Sequence, residues 1–215
     1  MRHTHLINYA LYQIGWFACV LGAASRRPWT GFLIALVLVG VHLALSVERA
    51  LEVRLVLFAT AVGAVVEAMQ IATGTYRFAS GTVTDALPPP WLLAMWAQFA
   101  TTFRFSLRSV ITRPLPAMVF GAAGGPIAFF AGDRLGAVTL LPPLTYGLVR
   151  LSISWAIALV IFSAVVRRIE DGNGEELRDA TDRPARHINP GGAYWPDRGE
   201  RRGWPESRRP PGRPR

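Results

Sequence analysis

Apolar residues in this chain neither alternate as on a half-buried strand nor trace one narrow stripe. They fill whole segments, separated by short polar breaks or breaks marked by Pro and Gly. Six such segments are legible, at about residues 5–24, 29–47, 53–72, 90–110, 114–131 and 145–166. A bilayer hydrocarbon core of about 30 Å takes roughly 20 apolar residues per helix. Each segment therefore reads as a membrane span. The predicted fold is all-α, a polytopic bundle of six transmembrane helices over residues 1–168. Beyond residue 168 the pattern stops. Residues 169–215 are rich in Arg, Pro, Gly and acids and poor in aliphatics, so a disordered cytoplasmic tail is expected there.

The breaks carry their own signals. The connection at 73–89 is the longest between spans and runs into Pro88-Pro89-Pro90, a stiff extended entry to the fourth span. In the fifth span Gly124, Ala128 and Gly132 recur every four residues, which predicts a face open to close approach by a neighbouring backbone. Pro126 is expected to bend that helix. Residues 135–144 are apolar but interrupted by Pro, and read as an interfacial or re-entrant loop. Asn8 and Gln13 interrupt the first apolar run, which argues for a retained span over a cleaved leader.

Charge alters the picture less than its size suggests. The net charge is +9, but residues 1–166 hold 11 Arg against 5 acidic residues, mostly near span ends, and residues 167–215 hold 12 Arg against 9. That distribution fits membrane orientation and anionic lipid, not base readout, so no nucleic-acid partner is expected. With the termini inside, the inner side holds Arg2, Arg49, Arg54, Arg108, Arg113, Arg167 and Arg168, and the outer side Arg26, Arg27, Arg77 and Arg134. The bias predicts a multi-pass bacterial inner-membrane protein with both termini cytoplasmic. Trp29, Tyr76, Trp91 and Tyr146 then fall near the outer interface. A single cysteine, Cys19, allows no internal disulfide, and the four histidines do not pair at ligand spacing inside a span. Neither a metal nor a cofactor is expected.

Polar groups within the spans are the candidate chemistry, because an ionisable side chain at the bilayer centre costs roughly 2.5–3.5 kcal/mol on insertion scales. Gly63, Glu67, Gln70 and Gly74 lie on one stripe of the third span. Gln98, Thr101, Arg104 and Arg108 share about a third of the fourth. Tyr146, Arg150 and Ser154 line up on the sixth, and Asn8, Tyr12, Gly15, Cys19 and Gly22 on the first. Alternating span direction puts Glu67 and Arg150 in the outer half. They are expected to pair, or to share an outer polar pocket with Gln70, Tyr76 and Gln98. Asn8, His42 and Arg104 form a candidate inner polar cluster, near Glu48.

Three stretches, "NYALYQIGWFACVLGA", "PPPWLLAMWAQFATTFRFSLR" and "GAAGGPIAFFAGDRLGAV", taken together resemble the bacterial inner-membrane family known as domain of unknown function 2878. The resemblance covers about residues 6–166 and rests on Asn8, Gly15, Trp16, Glu67, Pro89, Trp91, Trp96, Phe99, Ser106, Pro126, Gly132 and Gly136. It implies the architecture and no activity. Members are often encoded near genes for fatty-acid methylation, which tilts the reading toward a lipid-linked role.

Three functions compete. The first is binding of, or action on, a lipid or small amphipathic molecule in an intramembrane polar pocket. If the chain is catalytic, Glu67 would be the acid or base and Arg150 or Arg104 would hold an anionic head. The second is a non-catalytic accessory or scaffolding protein packing through its Gly-lined helices. The third is a small transporter working as an oligomer, supported only by the interrupted fifth span. No nucleophile–base pair is legible, so the residues leave enzyme status open.

Overall fold

A computed structural model describes residues 2–84 and 86–182. Among them are seven helices and two short strands: α1 Arg2–Ala24, α2 Pro28–Leu45, α3 Arg49–Ala72, β1 Tyr76–Phe78, α4 Pro90–Ala100, α5 Arg108–Ile111, α6 Pro114–Arg134, β2 Val138–Leu140 and α7 Leu144–Asp182. Five of the helices (α1, α2, α3, α6 and α7) are long and apolar enough to cross a membrane. Their outward faces carry exposed aliphatic and aromatic residues such as Leu33, Val37, Val65, Ile127 and Ile153, consistent with a multi-pass membrane protein. Helix α7 does not stop at Arg168 but continues to Asp182. The rest of the expected tail lies outside the described residues.

The fourth segment departs from the expected continuous span. Helix α4 has 11 residues, about 16 Å at 1.5 Å per residue, roughly half a hydrocarbon core. Residues 101–107 then run as successive turns before α5. The local cause is visible in the sequence. Thr101 and Thr102 are β-branched, and each hydroxyl bonds the carbonyl three residues back, Gln98 O at 2.7 Å and Phe99 O at 2.6 Å. The backbone tightens in step: the N–H groups of Thr101, Thr102 and Phe103 also bond carbonyls three residues back. Asn8 on α1 completes the repair. Its Nδ2 donates to Thr101 O at 3.1 Å, and its Oδ1 accepts from the Ser106 hydroxyl at 2.7 Å.

Segment 90–111 lies at the middle of the bundle. Trp91, Leu92, Ala94, Trp96–Ala100 and Phe103 are all buried. Gln98 packs on Gly15 of α1, and Trp96 packs on Gly63 of α3 and lies against Trp155 of α7 with the rings tilted by 31° and their centroids 4.6 Å apart. The segment also carries the chain from one end of the bundle to the other. At its start, Trp91 Nε1 donates to Ser80 O, and Ser80 Oγ donates to Ala23 O at the end of α1. At its far end Arg104 meets Glu52 in the first turn of α3, and Arg108 meets Glu170 on α7.

The connections at 73–89 and 135–144, expected as loops, are joined. β1 and β2 pair antiparallel, with Tyr76 opposite Leu140, Arg77 opposite Thr139 and Phe78 opposite Val138. The Leu141 N–H bonds Thr75 O, and Asp133 Oδ1 accepts from the Leu140 N–H at 2.9 Å. This ribbon ties the ends of α3 and α6 to the start of α7, and its end of the bundle is called the ribbon end below.

Helix α6 is continuous through Pro126. Its packing face is Gly121, Gly125, Phe129 and Gly132, about one residue round from the expected Gly124–Ala128–Gly132 stripe. A Cβ on Gly125 would fall 2.3 Å from the Trp155 ring, and one on Gly63 would fall 2.3 Å from the Trp96 ring. At Gly124 the nearest atom is 3.9 Å away. Gly63→Ala and Gly125→Ala should therefore each destabilise the protein by about 1–3 kcal/mol through overpacking, while Gly124→Ala should be neutral or slightly stabilising. Thermal unfolding of the purified variants in detergent checks the contrast.

Candidate functional site

Glu67 lies in the last third of α3, with no exposed surface. Gly63, one turn earlier, makes room for the Trp96 indole, whose Nε1 donates to Glu67 Oε1 at 2.9 Å. The other carboxylate oxygen, Oε2, accepts from the Tyr76 hydroxyl. β1 positions that phenol, and Phe129 of α6 stacks on its ring at 4.7 Å. Burial first, and then the neighbouring carboxylate, push the Tyr76 phenol well above its ordinary pKa, so it stays protonated and donates. Gln70 extends the polar stripe by another turn. Its Nε2 donates to Ser154 Oγ at 2.8 Å, and its Oε1 accepts from Thr75 Oγ1 at 2.7 Å.

Of the residues expected in an outer pocket, Glu67 and Gln70 are buried and line neither cavity. Glu67, Gln70 and Tyr76 come together. Arg150 does not pair with Glu67: its Nη1 donates to Thr73 O at 2.8 Å, satisfying a carbonyl at the end of α3. Gln98 also lies elsewhere, donating from Nε2 to Leu11 O at 3.0 Å on α1. Charge and depth suggested Arg150 as the partner, but two neutral donors already fill the Glu67 oxygens. Trp96 and Thr75 were the members the sequence hid. A glycine one turn before the carboxylate was the signal for an incoming ring.

At the opposite end the inner cluster forms around a residue the sequence reading missed. Glu52, in the first turn of α3 and 1% exposed, accepts from Arg104 Nη1 at 2.9 Å and contacts His42 Nε2 at 3.2 Å. Arg104 also bonds Glu48. The helix N-terminus favours the Glu52 carboxylate there. Asn8 joins only through the chain, by way of Thr101 and Ser106 on either side of Arg104. The arrangement links the end of α2, the start of α3 and the turn segment. Among the described residues no group of His, Cys, Asp and Glu is placed to hold a metal ion.

Beside Trp96 lies an apolar cleft of about 50 Å³. Its floor is Trp91, Trp96 and Phe99 of α4 with Val138 of β2, all buried. Its rim is half-exposed: Tyr12 and Trp16 of α1, Met95, Ala128 of α6 and Trp155 of α7. The Trp155 Nε1–H is buried without a hydrogen-bond partner. Glu67 does not line the cleft. It stands behind Trp96 and fixes the plane of that indole. A family described as "Protein of unknown function (DUF2878)" matches residues 5–161, a stretch that includes all five span-length helices up to the middle of α7, and both ends of the Glu67 network.

The chain belongs to that family. No curated protein and no solved structure matches it. The family description names no activity.

Because Glu67 accepts two bonds with no access to water, Tyr76→Phe and Trp96→Phe should each lower stability by about 1–3 kcal/mol, the usual cost of leaving a buried acceptor unsatisfied. Glu67→Gln and Tyr76→Phe should couple by on the order of 1 kcal/mol. Glu67→Gln and Arg150→Met share no partner and should add within about 0.5 kcal/mol. Double-mutant cycles on detergent unfolding curves test both statements; strong Glu67–Arg150 coupling would restore the ion pair.

Proposed function

We propose that the protein crosses the bacterial inner membrane six times, with both termini cytoplasmic, and binds a lipid or similar amphipathic molecule whose apolar part lies in the aromatic cleft. The sixth crossing is segment 90–111, in which α4 and the turns after it take the chain from the ribbon end to the Arg104 end. The observation that carries the binding reading is the position of the cleft rim. Tyr12, Trp16, Ala128 and Trp155 fall near the middle of helices long enough to span, so the opening faces hydrocarbon. An open apolar cleft at that depth takes up an acyl chain, since rings left without neighbours forfeit dispersion contacts. Glu67 then acts as a positioning residue, holding Trp96 as floor and Tyr76 at the ribbon end. For the scaffolding reading, Gly121 and Gly125 are already covered by Trp155, which leaves Gly124 as the open glycine of α6. The transporter reading loses the interrupted fifth span, since α6 is continuous; the interruption lies in segment 90–111 instead.

Acyl chains brominated near mid-chain should quench tryptophan fluorescence of the reconstituted protein. Ala128→Phe, which fills the cleft, should weaken that quenching. Ile127→Phe on the outward face should not. Equal quenching in both variants would remove the cleft as a binding site. Reporter fusions after residue 168 should read cytoplasmic, and fusions within the 79–89 connection should read periplasmic. A periplasmic signal from the former would overturn the six-crossing topology or its orientation.

A further inference from the structure

A second cavity, of about 540 Å³, lies at the ribbon end, within the size range of ligand pockets. Its apolar side is Ile71, Leu87 and Leu141, and its polar side includes Arg77 and Thr82. An aromatic partition divides it from the cleft. Tyr76 and Phe78 line the ribbon cavity, while Phe129 and Trp91 line the cleft; Tyr76 stacks on Phe129 at 4.7 Å and Phe78 meets Trp91 edge-on at 5.7 Å. The exposed Arg77 side chain makes no hydrogen bond or ion pair among the described residues. The described carboxylates at this end are committed elsewhere: Asp133 accepts from the Leu140 N–H, and Glu67 from Tyr76 and Trp96. Arg150 stands behind the cavity wall, bonded to Thr73 O next to Gly74, and its Nε has no partner.

These observations fit together on one ligand class. A cavity at the end of a span lies at headgroup depth. Apolar walls with an uncommitted guanidinium suit an anion joined to an apolar body. We infer that the ribbon cavity is a headgroup site for an anionic phospholipid, with Arg77 binding the phosphate. Guanidinium and phosphate pair through two parallel N–H···O bonds, a geometry that a point charge does not reproduce. The inference rests on the lipid-binding reading and names the class of lipid.

The test uses the full chain in detergent micelles, with native mass spectrometry reading the affinities of phosphatidylglycerol and phosphatidylcholine with identical acyl chains. Both lipids offer the phosphate, but only phosphatidylcholine offsets its charge with a choline cation beside the guanidinium, so wild type should prefer phosphatidylglycerol by about 10-fold. Arg77→Gln should abolish that preference with an unchanged melting temperature, Arg77→Lys should keep part of it, and Arg134→Gln, at the same end but outside the cavity, should keep all of it. Inorganic phosphate at millimolar concentration should not displace the lipid. Retained preference in Arg77→Gln overturns the site. Its loss in Arg134→Gln as well reduces the effect to diffuse surface charge and also overturns it. Displacement by inorganic phosphate would make this a free-anion site and refute the lipid assignment. If bromine quenching responds to Ala128→Phe while Arg77→Gln leaves headgroup preference intact, the cleft reading stands and this inference alone falls. If neither lipid binds, both fall.

Discussion

Backbone polar groups at membrane depth must find their partners inside the protein, and the centre of this bundle is built around that demand. Segment 90–111 gives up α-helical pairing after Ala100, in the part of the molecule most enclosed by other helices. In lipid each unsatisfied group would cost several kcal/mol. Thr101, Thr102 and Ser106 supply hydroxyls from within the segment, and Asn8 supplies one amide that serves both sides of the break. The remaining packing follows. Because the segment lies at the middle, its large side chains must be received by neighbours without side chains of their own, and Gly15 and Gly63 stand where Gln98 and Trp96 arrive.

The buried carboxylate belongs to the same scheme. Glu67 would be costly as a lone charge and is not neutralised by a nearby cation. Instead, two neutral donors on different elements converge on it, the Trp96 indole from α4 and the Tyr76 phenol from β1. One side chain thereby fixes the orientation of two aromatic walls. At the opposite end Glu52 joins His42 to Arg104, tying α2, α3 and the turn segment together. The polar stripes are joints between helices before they are anything else, and the cavities are the space the joints leave.

Much of this was legible in the sequence. Spans near 20 apolar residues announce themselves, and the start of α6 at Pro114 and the end of α3 at Ala72 fall where the pattern places them. The break at 101–107 was not legible, because Thr, Phe and Leu keep that stretch apolar on average while the hydroxyls act locally. β1 and β2, three residues each, are too short to show a period. His42 and Arg104 both contact Glu52, which was overlooked because a carboxylate in a first helical turn looks like an interfacial residue. The pairing of Glu67 with Arg150 failed for a physical reason. Opposite charge is one way to satisfy a carboxylate, and indole and phenol donors are another that leaves no charge pattern to follow.

The two-stranded ribbon also constrains the order of events during synthesis. β1 leaves the ribosome directly after α3, but its partner β2 is made only after α4, α5 and α6. Until then the Thr75 carbonyl has no strand to receive, and the Tyr76 ring lacks the Phe129 face on which it stacks. Closure of the ribbon therefore waits until the broken segment and the helix after it have been made. Such a long-range contact is slow to form, since a large loop has to close before the pairing stabilises it. Ribbon pairing serves as a late latch, engaging only on a chain whose central segment is already made.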